Sequence, residues 1–334
     1  MKIFVFISIL IMFLGMSVPS FSKDKGKASP ETLDNLKFIE GNEQENEKRA
    51  LQTELLVAAS ERKAMEQLQL LLKKHRGTYI EADLWFRMAE LYMRKSKTER
   101  FFELNRESDT VVKLAPKKVK SASSKREIIK AVGIYEKIQK QFKSFDKMDL
   151  VIFNNAFARQ TLGQDKLAAR LYNDLISMFP RSSLVPDAHL AIGEIKFDSN
   201  DFNTALKHFL SIEKYPSSRV YPYGMYKAAW TYYNLRKEPL GLEKLEQVVA
   251  FGRMVQEKGI DSRLDLRKEA LADMTLFYED VYLSKDAYSY FSKQAGDLDV
   301  TPTLLKLSFL YERHSRYEDK LAVLTALVKK QPYS

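Results

Sequence analysis

A repeat with a period of 36 or 37 residues runs through the middle of the chain and restricts what it can fold into. Small residues recur in steps of 168 − 131 = 37, 205 − 168 = 37 and 241 − 205 = 36, at Ala131, Ala168, Ala205 and Gly241. Large apolar residues recur four positions after each of them, at Tyr135, Tyr172, Phe209 and Leu245. A fixed period of this size predicts an array of similar units, each packed on its neighbours and not around one central core.

Each unit is predicted to hold two helices. In the unit that begins at Pro186, apolar residues recur at helical spacing on both sides of a turn at residues 199–201. Gly193 and Ala205 lie where the two helices would cross, because small side chains let the backbones approach each other. Pro216 ends the second helix, since proline lacks the amide hydrogen and restricts the residue before it.

These units resemble the tetratricopeptide repeat. The residues that match the family pattern in two successive units are Gly163, Ala168, Tyr172 and Pro180, then Gly193, Phe202, Ala205 and Phe209. The units are longer than the family's 34 residues. They join through Phe-Pro-x-Ser or Tyr-Pro-x-Ser, as in the bacterial envelope branch, which includes the Tol–Pal-associated periplasmic protein, the β-barrel-assembly lipoprotein and gliding-motility envelope proteins. The resemblance implies an all-α, right-handed superhelical solenoid of about five to six antiparallel helix pairs.

The segments before the repeats predict secretion. Residues 1–22 have the positive start, apolar run and small residues of a signal peptide, with an uncleaved anchor as the alternative. We therefore expect a protein secreted across the inner membrane of a Gram-negative-type bacterium, periplasmic or associated with the outer membrane. Residues 23–45 predict a flexible arm. Residues 46–81 predict a capping helical hairpin, or a single long helix if no break occurs near Ser60.

The unit at residues 82–148 contains an insertion. Its first helix is expected over residues 82–96 and its second from about Glu127, so about 30 residues, roughly 97–126, are additional to the repeat pattern. The second part of the insertion is predicted to be a basic, serine-rich loop that carries Lys117, Lys118, Lys120, Lys125 and Arg126. Inserted loops often bind partners, and a solvated spacer is the alternative.

Regular units fill residues 149–250, a connector is predicted at 251–266, and two further units are expected at 267–334. In the last unit Lys320 stands where other units have a small residue. Leu324 is predicted to serve the internal packing, which leaves Leu321 and Val328 for the outer side. We expect a partner, a second copy or further repeats to cover this face, since repeat arrays otherwise end in a polar cap.

The sequence contains no pattern that indicates catalysis. It has no cysteine, which excludes disulfides and thiolate metal sites, and no nucleophile elbow, phosphate loop or dinucleotide fingerprint. None of its four histidines is three or four residues from another. His189 and His208 could meet across one helix pair, where a packed pair is favoured over a metal site. We predict a protein that is not an enzyme and binds no metal or cofactor.

The resemblance implies a concave groove lined by first-helix positions. These are Phe153, Phe157, Leu190, Glu194, Phe197, Tyr223, Tyr226, Trp230 and Tyr233. Tyr232 already occupies the internal packing position, so Tyr226, Trp230 and Tyr233 form an additional stripe at spacings of 4 and 3. Such aromatic residues suit an amphipathic peptide. The alternative is that the next helix covers them.

The leading hypothesis is a non-catalytic envelope scaffold that holds a peptide or helix of another envelope protein in this groove. The net charge of +10, or 10 − 1 = +9 without Lys2, suits acidic partners. The alternative is a protein that binds peptidoglycan or anionic lipid through the basic loop at 117–126. Nucleic acid is not expected as a partner because the chain begins with a secretion signal.

Overall fold

The computed structural model describes residues 60–96, 118, 122–259 and 264–331, and these residues form an all-α fold without a strand. They belong to one compact unit, Leu55–Ser334. Its helices are α1 (the described helical residues 60–74), α2 Glu81–Lys95, α3 Ala122–Gln141, α4 Met148–Thr161, α5 Asp165–Met178, α6 Val185–Asp198, α7 Phe202–Ser211, α8 Tyr221–Asn234, α9 Glu238–Glu257, α10 Arg267–Val281, α11 Ala287–Ala295, α12 Thr301–Arg313 and α13 Tyr317–Lys330. Short 3-10 helices lie at Ile212–Lys214 and Ser284–Asp286.

Helices that follow each other in the chain pack against each other from α2 to α10. The pairs α4–α5, α6–α7, α8–α9 and α12–α13 are each joined by a turn of three residues, at 162–164, 199–201, 235–237 and 314–316. First helices also contact the next first helix, as α6 contacts α8 and α10 contacts α12. The fold is therefore a series of helix pairs in which most contacts are local in sequence.

The same backbone motif closes all four of these turns. The middle residue adopts a left-handed conformation, with φ of 78° at Gly163, 60° at Asn200, 57° at Arg236 and 59° at Ser315. The next residue donates its amide hydrogen to the carbonyl five residues back, for example Gln164 to Arg159 at 2.8 Å. This arrangement is the Schellman motif, which satisfies carbonyl groups left over at a helix end. Its recurrence shows that the sequence period is also a structural one.

Small residues lie at the helix crossings, as the sequence predicts. A Cβ atom added to Gly193 would lie 2.6 Å from Cδ1 of Phe209, which is too close for the native packing. Ala205 and Phe209 are completely buried beside it. The large apolar residues of the other units are also completely buried, including Tyr135, Tyr172, Tyr278, Phe291 and Tyr311.

Two helix boundaries differ from the prediction. Helix α3 begins at Ala122 and not near Glu127, so Lys125 and Arg126 are helical. Helix α9 continues to Glu257, so the first part of the predicted connector is helix. This extension is stabilised by burial of Val255 and by the close packing of Asp265 and Arg267 against Gly252.

In α13, Val323 and Leu327 are the buried residues, and Leu324 is only partly buried. The packing position predicted for Leu324 was therefore wrong. Leu321 and Val328 do lie on the exposed side. The predicted signal peptide at 1–22, the arm at 23–45, most of the insertion and the first half of the capping hairpin lie outside the described residues. Among the helices that the structure describes, none combines the length and apolar character of a membrane span.

Candidate interaction surfaces

Four of the predicted groove residues in α4 and α6 are buried by neighbouring helices. Phe153 and Phe157 lie in the core, where the Phe153 ring meets Tyr172 edge-on at a centroid distance of 5.4 Å. Leu190 and Glu194 are also buried. These four side chains therefore contribute to helix packing and are not available to a ligand.

Glu194 forms an ion pair inside this packing. Its Oε1 lies 2.8 Å from Nζ of Lys227, which is itself nearly buried. Burial raises the pKa of the Glu194 carboxyl group, and the ammonium group of Lys227 partly opposes that rise. Phe197, the half-buried residue of the set on α6, packs on Phe202 at 5.3 Å and lies 5.9 Å from the Lys227 ammonium group.

The aromatic stripe of Tyr226, Trp230 and Tyr233 exists, and helix α10 covers it. The Tyr226 hydroxyl donates a hydrogen bond to Asp273, and burial raises the pKa of this hydroxyl. The ring of Phe277 lies 5.8 Å from Trp230 and 5.1 Å from Tyr233. Tyr223, on the same helix, is buried as well. The stripe therefore forms a helix-packing face, with Trp230 and Tyr233 only partly exposed at its edge.

The basic stretch is only partly described. Lys118 is exposed and forms a 2.9 Å ion pair with Asp165, which raises the pKa of Lys118. Lys125 and Arg126 are exposed in the first turns of α3. Lys117 and Lys120 lie outside the described residues. Because Lys118 already has a carboxylate partner, Lys125 and Arg126 are the more available charges in the described part.

His189 and His208 meet across the α6–α7 pair, as their positions in the repeat predict. Their Nδ1 atoms are 3.0 Å apart and their ring centroids 5.2 Å apart. Burial lowers the pKa of both imidazoles, and that of His208 falls to about 4. Within the described residues, no cluster of three or more histidine, aspartate or glutamate side chains could hold a metal ion.

The α12–α13 pair repeats the α8–α9 pair with a shift of 79 residues. The shift aligns Tyr226 with Leu305, Trp230 with Phe309, Leu242 with Leu321 and Val249 with Val328, because 305 − 226, 309 − 230, 321 − 242 and 328 − 249 all equal 79. It also aligns Tyr232 with Tyr311, since 311 − 232 = 79. The two pairs therefore present equivalent positions on equivalent faces.

In the α8–α9 pair, helix α10 covers these positions. Phe277 of α10 packs on Trp230 of α8, and it lies close enough to α9 that a Cβ atom on Gly241 would be 2.9 Å from its Cδ1 atom. Leu242 and Val249 of α9 are buried. A single helix thus covers apolar residues from both members of the pair.

In the α12–α13 pair, the equivalent positions are exposed. We define the α12–α13 face by its five exposed apolar residues, with exposed fractions of 38% for Leu305, 60% for Phe309, 63% for Tyr317, 66% for Leu321 and 65% for Val328. On α13, Tyr317, Leu321 and Val328 are joined by the partly buried Leu324 at spacings of 4, 3 and 4, which form one helical stripe. The sequence prediction included Leu321 and Val328 but missed Leu305 and Phe309, which the shift of 79 would have identified.

A scan against models of known protein families finds no match to the chain. A search of curated proteins likewise finds no similar sequence.

Proposed function

We propose that this protein is a non-catalytic scaffold of the tetratricopeptide-repeat type, a right-handed superhelical solenoid that binds an amphipathic helix of another protein on its α12–α13 face. The recurring turn motif and the small residues at the helix crossings support the repeat assignment. The observation that carries the binding proposal is the shift of 79 residues. It aligns Leu305 and Phe309 with Tyr226 and Trp230, which a helix covers in the α8–α9 pair.

The energetics indicate what else the partner helix must provide. Complete burial of a large apolar side chain contributes about 1.5–3 kcal/mol. Phe309, Tyr317, Leu321 and Val328 are 60–66% exposed, so each can contribute roughly 1–2 kcal/mol. Association itself costs about 4–15 kcal/mol, which is comparable with that sum. The partner therefore needs polar contacts too, and acidic residues beside its apolar stripe would suit the exposed Lys329 and Lys330.

The proposed location is the cell envelope. The support is the signal-like sequence at residues 1–22, and the resemblance of the repeat junctions to envelope repeat proteins. We expect residues 1–22 to export a reporter that is active only outside the inner membrane. A fusion that remains inactive while an established signal peptide activates the same reporter would contradict the location, and would leave the helix-binding face unaffected.

Photo-crosslinking tests the helix-binding proposal. A photoreactive residue at position 321 should crosslink to a segment of another protein that forms an amphipathic helix. A synthetic peptide of that segment should bind the purified chain, and Phe309→Glu should weaken binding by at least about tenfold. Met178 is the matched control because it lies on α5 and is 64% exposed. A photoreactive residue there should not capture the same segment, and Met178→Glu should leave peptide binding unchanged.

Two outcomes would overturn the proposal. If position 321 crosslinks only to a second copy of the chain, and light scattering shows a dimer that Leu321→Glu dissociates, the face is a self-association surface. If positions 178 and 321 capture the same proteins, or Phe309→Glu binds the peptide as the unmodified chain does, the α12–α13 face has no specific role in binding.

A further inference from the structure

A cavity of about 630 Å³ lies between α1, α2 and α3, far along the chain from the α12–α13 face. We call it the α1–α3 cavity. Its apolar wall contains Trp85, Met88 and Tyr92 from α2 and Ile134 from α3. Pockets for small molecules commonly have volumes of about 300–1,000 Å³, with apolar walls and a few polar groups.

The polar groups of the α1–α3 cavity are mainly cations. Lys73 and Arg76 come from the α1 side, and Lys137 from α3 lies 3.4 Å above the centroid of the Trp85 ring. Within the described part of the chain, none of these three forms a salt bridge. Partial burial lowers the pKa of Lys137, and the nearby Glu81 carboxylate partly opposes this. The cavity therefore offers positive charge beside an aromatic surface.

The one carboxylate in the lining is already engaged. Glu81 accepts a hydrogen bond of 2.7 Å from the Gly77 amide and one of 3.1 Å from Nε1 of Trp85, and these bonds lower its pKa. It thereby orients the Trp85 ring. A fourth cation, Lys130, is paired with Glu127 at 3.1 Å. Glu81 keeps its negative charge and interacts with Lys137 and Arg76. Lys73, Arg76 and Lys137 together outnumber this carboxylate, so the described lining has a net positive charge that can attract an anion.

The next helix pair contains the same site in a reduced form. The repeat step of 37 aligns Lys130 with Leu167, Gly133 with Arg170 and Ile134 with Leu171. In the first helices the insertion lengthens the step to 159 − 92 = 67, so the equivalent of Tyr92 is Arg159. The space at these residues is about 270 Å³. Arg159 occupies it with hydrogen bonds to Asn155 and Gln164 and an ion pair to Glu136. The two spaces therefore differ mainly in volume, and the larger one is the α1–α3 cavity.

Among the residues that the structure describes, none packs on Gly133 in a way that would explain a glycine in the middle of α3. A Cβ atom added there would meet nothing within 4 Å, whereas a Cβ atom on Gly193 would collide with Phe209. Glycine inside a helix is less favourable than alanine, so its presence here needs another explanation. Gly133 lines the α1–α3 cavity, and the equivalent residue one unit later, Arg170, lines the smaller space.

We propose that the α1–α3 cavity binds a ligand that joins an apolar body to an anionic group, such as an aliphatic or aromatic carboxylate. The apolar body lies against Trp85, Met88 and Tyr92, and the anion is held by Lys73, Arg76 and Lys137. Such a carboxylate could belong to a free amphipathic acid or to the C-terminus of a peptide. This site goes beyond the proposed function, because it uses none of the residues of the α12–α13 face.

Trp85 fluorescence tests the proposal. The chain has two tryptophans, so Trp230→Phe in the full chain makes Trp85 the only reporter. Titration with dodecanoate below its micelle concentration should change the emission and saturate at one equivalent, while dodecanol should bind at least about tenfold more weakly. A peptide with an aliphatic C-terminal residue, and the same peptide with an amidated C-terminus, form a second arm that separates the two sources of the carboxylate.

Three variants give the test its controls. Lys137→Met keeps the aliphatic stem but removes the charge, and should weaken dodecanoate binding by at least about tenfold. Gly133→Leu should fill the cavity and abolish binding. Gly133→Ala should melt at a higher temperature than the unmodified chain, because alanine is the better helix former. Equal binding of dodecanoate and dodecanol, unchanged binding in Lys137→Met, or no saturable binding of either carboxylate would each overturn the proposal.

Discussion

Replacement of Lys227 should lower the free energy of unfolding, because it leaves the buried carboxylate of Glu194 without a counter-ion. Lys227 lies on α8 and Glu194 on α6. Nζ of Lys227 lies 2.8 Å from Oε1 of Glu194, and both side chains are almost completely shielded from solvent. We choose Lys227→Met because methionine keeps an unbranched apolar side chain of similar length and removes the charge. The variant leaves Glu194 buried without its counter-ion.

Loss of one partner from a buried ion pair typically destabilises a protein by about 3–5 kcal/mol, and we expect that loss at pH 7. The pKa of Glu194 is already raised by burial, and it should rise further without Lys227. A carboxyl group with a raised pKa takes up a proton on folding, so its contribution to stability falls as pH rises from the unfolded value of about 4.3 through the folded pKa. The loss in Lys227→Met should therefore be smaller at pH 5 than at pH 7.

Urea unfolding monitored by circular dichroism at both pH values measures these changes. The double variant Lys227→Met with Glu194→Gln serves as the control, because it removes both charges and keeps the shape. It should recover most of the stability at pH 7, and the loss that remains should be the same at pH 5 and pH 7. If Lys227→Met unfolds at the same urea concentration as the unmodified chain, or its loss does not shrink at pH 5, the carboxylate is not buried as described.

Two further predictions concern other local features. Arg236→Gly should raise the free energy of unfolding by about 0.5–1 kcal/mol, because a left-handed conformation costs a non-glycine residue about 1–2 kcal/mol and the flexibility of unfolded glycine offsets part of this gain. Thermal unfolding measures this change, with Arg236→Ala as the control. Equal melting temperatures of the two variants would contradict the prediction. The pKa of His208 is lowered to about 4 by burial beside His189, so the folded state resists protonation and stability should fall as pH drops from about 6.5 toward 4. His208→Gln should weaken this fall in urea unfolding across that range, and an unchanged profile would exclude the pair as its cause.

The repeat register could be predicted from sequence because it depends on local chemistry. Small residues at helix crossings and turn residues such as Gly163 and Asn200 recur at a fixed step, and the structure confirms both. The start of α3 and the end of α9 could not be predicted in the same way. Both helices extend beyond the repeat pattern. The extension of α9 is held by hydrogen bonds from Arg253 to Gln294 and from Gln256 to Asp297, which lie beyond the connector.

The candidate sites were harder to predict because exposure depends on residues far away in the sequence. Tyr226, Trp230 and Tyr233 share a face, as their spacing indicates, but spacing does not reveal that Phe277 covers it. The α1–α3 cavity was missed for a related reason. Its cations come from α1 and the turn after it and from α3, and these two parts of the chain are far apart in the sequence. Gly133 shows its possible role only once the open space around it is known.

In a chain of similar helix pairs, the most informative signal of function is a position whose surroundings differ from those of the equivalent position in another pair. Trp230 and Phe309 are equivalent by position, yet α10 covers the first and the second is mostly exposed. Arg170 and Gly133 are also equivalent, yet the space beside Arg170 is less than half of the volume beside Gly133. Packing by α10 accounts for Trp230, whereas the described packing accounts neither for the exposure of Phe309 nor for the open space at Gly133. The proposed partner helix and the proposed amphipathic anion would supply contacts at these two places, and each proposal can be tested without disturbing the other.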